Sequence, residues 1–249
     1  MAVGVDEASE AYERAMRNIA TVGPGICRIC RTFIDPGYDT CYPCGFEPDN
    51  LAAVVPITYS ENLGQVHTAL RNYKDGESNA IRRHAAVRLA AILWRFLREH
   101  EACVAGAAGV DKFDLVTIIP SSSPQRDEHS AFRELTSWIE PASSRMRRTL
   151  EPTGKVEERG FDPDRFSSTT ELPGKSVLLL DDTWTTGGHA RSASYSLLAA
   201  GAATVSLVVV GRHVNGDYEP AKGSGESCTD LLDALPEDFD WATCAVHAT

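Results

Sequence analysis

Residues 177–188 read VLLLDDTWTTGG: an apolar run, then Asp181 and Asp182, then hydroxyls and paired glycines. The uniform apolarity of 177–180 is that of a strand buried on both faces, as in a parallel sheet. Two ionised side chains at its end cannot be core. Each buried, unpaired charge costs several kcal/mol, while a buried Leu or Val returns roughly 1.5–3 kcal/mol. The acids therefore stand at the surface or in a cleft. Thr185, Thr186, Gly187 and Gly188 then open a helix that continues HARSASYSLLAAG over 189–201. Such a turn gathers unpaired N–H donors and hydroxyls around a point that favours anions. Carboxylates beside a phosphate cradle suit a sugar phosphate, at the edge where open parallel sheets bind ligands. The plainer reading, a glycine turn with a solvated strand end, is common to many α/β proteins.

Outward from this segment, a helix over 189–200 and a strand over 203–210 complete a βαβ run. Upstream, FDLVTIIPSSSPQRDEHSAF (113–132) predicts a buried strand at 115–119, a serine loop after Pro120 and a helix near 129–139. AAVVPITYS (52–60) predicts another strand. A short helix over 64–73 ends in the turn Lys74-Asp75-Gly76, and a long helix over 79–100 follows. The arginines of that long helix (82, 83, 88, 95 and 98) read as a solvated face. Residues 6–20 have the spacing of one amphipathic helix, with Tyr12, Met16 and Ile19 on its stripe. Residues 141–171 are polar and too long for an ordinary connection, so a mobile functional loop bearing Arg145, Arg147, Arg148 and Lys155 is expected. After Arg212 the composition turns to Gly, Asp, Glu and Ser, an appended tail over 213–249 with little core.

Seven cysteines are present. Cys27-x-x-Cys30 and Cys41-x-x-Cys44, the latter followed by Gly45, suit a tetrahedral Zn²⁺ held by two knuckles, hence a structural metal module within 1–50. The alternatives are disulfides, which want an exported chain, and a redox pair, which more often occurs singly. Cys103 and Cys228 read as lone thiols, and Cys244-x-x-His247 as incidental, since no second pair lies near it in sequence.

Composition is that of an ordinary globular protein. The net charge of -11 argues against broad nucleic-acid binding by the whole surface. The acidic N-terminus does not read as a secretory signal, and the apolar stretch 197–211 is too short and interrupted to span a membrane. A cytoplasmic location is expected.

The order of these pieces resembles a known family. A strand ending in two acids before a TTG turn is similar to the signature of type I phosphoribosyltransferases. Paired zinc knuckles, then HTALRNYKDG (67–76), strand-PSSS, an Arg/Thr-rich loop (Arg147-Arg148-Thr149; 158–166) and DDTWTTGG resemble the competence-associated ComF group over about 25–212. The resemblance implies the α/β fold of that class, as a phosphoribosyltransferase domain over 51–212 beside the small zinc module. It implies Mg²⁺ and phosphoribosyl pyrophosphate (PRPP) as cofactor and substrate, with a nitrogenous acceptor. Asp181 and Asp182 would bind the ribose hydroxyls, directly or through Mg²⁺. Thr183, Thr185, Thr186, Gly187, Gly188 and His189 would hold the 5′-phosphate. Ser121, Ser122, Ser123 and Lys74 would meet the rest of PRPP, and Arg147 or Arg148 would close over the pyrophosphate. Three departures stand out: Trp184, which either stacks on an acceptor or fills space; His189 in place of a hydroxyl; and a serine loop without an arginine run, although Arg126 is close. Two other classes stay open: a PRPP-binding regulator without turnover, and a zinc-ribbon accessory touching single-stranded DNA. The resemblance also leaves a homodimer open.

Overall fold

A computed structural model describes residues 4–121, 124–128, 130–155 and 160–247. The expectations placed on Ser122, Ser123, Glu158, Arg159 and the Arg126 side chain lie outside the described residues. In chain order, the first half contains α1 (Val5–Glu10), α2 (Tyr42–Phe46), β1 (Ala53–Glu61), α3 (Gln65–Asp75), α4 (Asn79–Ala107) and β2 (Leu115–Ile118). Then come α5 (Pro124–Glu128), α6 (Ala131–Thr136), α7 (Glu140–Ser143), β3 (Leu150–Pro152) and β4 (Phe166–Ser168). The chain continues through β5 (Ser176–Trp184), α8 (Gly188–Ala199), β6 (Thr204–Val214) and α9 (Cys228–Asp233).

The central sheet has the order β1-β6-β5-β2, and its neighbours all run parallel. The middles of its strands are largely apolar because both faces are covered. Leu178, Leu180, Val208 and Val210 pack into one core with α3 and α4. Val177, Leu179, Leu207 and Val209 pack into the other with α8 and the cysteines 27, 30 and 44. The period of two along each strand sorts side chains to opposite faces. The fold is therefore α/β, with the acids of β5 delivered to the carboxyl edge of a parallel sheet.

Four expectations are corrected. The predicted helix over 6–20 stops at Glu10, with a 3-10 turn at Glu13–Ala15. Tyr12, Met16 and Ile19 are buried as their spacing required. Beyond Met16, however, the chain is pinned to β1, where Arg17 N–H donates to the Thr58 hydroxyl (2.8 Å) and Thr58 donates back to the Arg17 carbonyl. The arginine face of α4 is not simply solvated: Arg95 and Arg98 pair with Asp6 and Glu99, and Arg95 lies over the Trp241 ring at 4.2 Å. The 141–171 stretch holds α7 and an antiparallel hairpin, β3 with β4. The segment after Arg212 is no coreless tail: Val214, Cys228, Leu232, Trp241, Cys244 and Ala245 are buried in the α3–α4 core. Among the described residues, no helix is long and apolar enough to cross a membrane.

Candidate functional site

Between the carboxyl ends of β5 and β2 lies a cleft of about 670 Å³. Asp181, Asp182 and Thr183 enter it from β5, Ser121 follows β2, Lys74 comes from the end of α3 and His189 from the start of α8. The two acids have different surroundings. Asp182 is buried and receives the Tyr73 hydroxyl and the Lys74 ammonium on one carboxylate oxygen. Burial and then the nearby carboxylates hold the Tyr73 phenol above its ordinary range, so it donates. Asp181 is partly buried, and its Oδ1 accepts the Asp182 backbone N–H at 2.9 Å. Burial, and next the charge of Asp182, push its carboxyl up to about 8. A cation entering beside it would favour the ionised form. Asp181 is thus the acid left for a ligand, and Asp182 is tied into the wall.

None of Thr185, Thr186, Gly187 and Gly188 lines the cleft, although the residues flanking the turn, Thr183 and His189, do. Thr185 lines a separate hollow beside the cysteine module. Gly187 has φ 91, and a Cβ there would stand 2.2 Å from the Trp184 ring. Trp184 is 2 % exposed and fills the core under the turn, so it is not free to stack on an acceptor. A Cβ on Gly188 would meet the Gly160 backbone at 2.2 Å, so the approach to the β3–β4 hairpin rests directly on this turn. Arg165, buried beside that hairpin, donates to His189 Nε2 (3.1 Å) and to the Gly160 carbonyl. A guanidinium only donates, so Nε2 accepts and the ring proton sits on Nδ1.

The two arginines expected to close over the site do not line the cleft. Arg148 pairs with Asp127 at 2.9 Å, and Arg147 caps the Ser144 and Met146 carbonyls. Asp127, 1 % exposed, also accepts both Arg133 bonds (2.8 Å) and the Ser121 N–H (3.2 Å), knitting the loop after β2. An internal carboxylate outcompetes solvent for Arg148, and residue type alone did not reveal that acceptor.

The thiols of Cys27, Cys30, Cys41 and Cys44 converge within 4.8 Å of one another, a group that could hold a metal ion such as structural zinc. Two buried arginines reach them: Arg191 Nη2 donates to Cys44 Sγ (3.2 Å) and Arg212 Nη2 to Cys30 Sγ (3.4 Å). Burial pushes the Cys30 thiol up, but bonds from the other three cysteines and the Arg212 charge outweigh it and hold it well below its ordinary range. Four thiolates around a divalent ion leave two negative charges, towards which Arg212 and Arg191 bring positive charge, Arg191 being shared with Glu47 at 2.9 Å. The same arginines reach the acid-and-glycine turn, Arg191 through the Thr186 carbonyl (3.0 Å) and Arg212 through that of Trp184 (3.1 Å). The cysteine module therefore buttresses the strand end that carries Asp181.

Tyr73, Arg165, Asp127, Arg191 and Arg212 received no role from sequence. Only Arg212 left a signal there, a charge ending the apolar run of β6, as Asp181 does in β5. No family model and no curated protein matches this chain.

Proposed function

We propose that this chain is a type I phosphoribosyltransferase-like protein, with that class of fold, which binds Mg²⁺-PRPP and transfers its phosphoribosyl group to a nitrogenous acceptor. The observation that supports it most is the meeting of Asp181, Thr183, Ser121, Lys74 and His189 around one cleft at the strand-end edge. Carboxylates, hydroxyls, one ammonium and an imidazole N–H donor in one cleft match a ligand that is both polyol and polyanion. Mg²⁺, when bound, would neutralise the pyrophosphate leaving group. Asp181 would hold the ribose hydroxyls or the cation. The charge of the acids would favour the positive sugar carbon as its bond to pyrophosphate breaks. Lys74, seated between Asp182 and the cleft, would meet a phosphate without leaving its partner. His189, oriented by Arg165, would stand at the 5′-phosphate end.

A regulator that binds PRPP without turnover is favoured by one observation: Arg147 and Arg148 are engaged away from the cleft. Incubation with Mg²⁺-PRPP and a panel of nucleobases, amines and ammonia separates the two. The transferase reading expects pyrophosphate release above the protein-free rate with at least one acceptor. Binding by calorimetry with no release from any acceptor supports the regulator, and no binding removes both.

A further inference from the structure

Cys244 and His247, read from sequence as an incidental pair, have partners in space. His100 and Cys103 stand three residues apart near the end of α4, on one face of the helix. The C-terminal segment brings Cys244 and His247 against them. One ligand atom from each of the four lies within 4.8 Å of the others. We propose that His100, Cys103, Cys244 and His247 form a second metal site, a closed two-histidine, two-cysteine shell for Zn²⁺.

Three features support a site over chance packing. First, the atoms are close to bonding separation. Metal–sulfur bonds of about 2.3 Å and metal–nitrogen bonds of about 2.0–2.1 Å in a tetrahedron put ligand atoms roughly 3.3–3.8 Å apart. His100 Nδ1 and Cys103 Sγ are already at 3.8 Å. Second, His100 is oriented as a ligand. Its Nε2 lies 2.7 Å from the Trp241 carbonyl, which can only accept, so the proton sits on Nε2 and Nδ1 offers its lone pair to the cluster. A carbonyl holding the remote nitrogen is the usual support of a metal-bound imidazole. Third, the Cys244 end is built as a knuckle. The His247 N–H closes the turn on the Cys244 carbonyl at 2.9 Å.

His100 and Cys244 are buried, Cys103 is half-buried and His247 is exposed. A metal would thus enter from the His247 side and finish with no open position, which makes the role structural. It would clamp the C-terminal segment onto α4. That segment also holds the first cysteine module, because the Ala245 carbonyl accepts Arg31 Nη2 at 3.1 Å, one residue after Cys30.

The test is the metal content of the full chain purified without chelator. Two zinc ions per chain are expected. One should remain in Cys103→Ser/Cys244→Ser, and one in Cys27→Ser/Cys30→Ser. Co²⁺ added to the latter variant should give the tetrahedral d–d absorption of a two-thiolate site. His247→Ala, at an exposed position that spares the core, should release one of the two zinc ions to a chelator roughly tenfold more readily or faster still. A single zinc in the unmutated protein that disappears in Cys27→Ser/Cys30→Ser overturns the proposal. So does a Cys103–Cys244 disulfide in the freshly purified protein, seen as a mass deficit of two hydrogens, or chelator release unchanged in His247→Ala.

Discussion

Arg212 donates from Nη2 to the sulfur of Cys30 across 3.4 Å, from a position on β6 that is 5 % exposed. Its Nε holds the Cys30 carbonyl at 3.0 Å and its Nη1 the Trp184 carbonyl at 3.1 Å. One buried guanidinium therefore joins the cysteine module, β6 and the end of β5. Buried charge of this kind survives only when paired.

Arg212→Met should therefore destabilise the protein by about 3–5 kcal/mol, because it leaves the thiolate group short of a countercharge. It should also ease zinc release to a chelator. Urea unfolding measures the first effect and a colorimetric chelator the second. Midpoint and release rate both matching the unmutated protein would deny Arg212 this role.

Asp181→Asn/Asp182→Asn keeps the shape of the strand end and removes its charge. Mg²⁺-PRPP affinity should fall about tenfold or more, equivalent to ~1.4 kcal/mol. Calorimetry with the double variant checks it, and Asp181→Asn alone should account for most of the loss, since Asp182 is already taken by Tyr73 and Lys74. Unchanged affinity in the double variant moves the ligand elsewhere.

Stability should depend on pH through Asp181. Its carboxyl lies at about 8 in the folded chain against an ordinary 3.8. Between those values the folded protein keeps a proton that the unfolded chain has released, so stability falls as pH rises. Without ligand, Tm should drop from about pH 4 to about pH 8 more steeply for the unmutated protein than for Asp181→Asn, which has nothing to titrate there. Parallel curves would show that Asp181 titrates normally.

Gly188→Ala tests the contact between the glycine turn and the hairpin side. The added methyl would stand 2.2 Å from the Gly160 carbonyl carbon, a backbone atom that no side-chain rotation can move aside. A loss of about 1–3 kcal/mol is expected from overpacking, together with faster proteolysis within 153–165. A variant as stable as the parent would mean that the segment yields without cost.

Local pattern carried much of this protein. The apolar run closed by Asp181-Asp182 read as a parallel strand delivering charge to an edge, because a charge without a partner is too costly to bury. The cysteine pairs at 27/30 and 41/44 read as one metal group, since each knuckle is complete within four residues. The glycine at 187 read as a turn. What only the tertiary structure decided were meetings between distant segments: Tyr73 and Lys74 on Asp182, Asp127 on Arg148, Arg191 and Arg212 on the thiols, and His100 with Cys103 against Cys244 and His247. Each buried polar group needs a partner, but its partner need not lie near it in the chain. The need is legible in residue type, and the sheet and helix packing that brings the partner within reach is not.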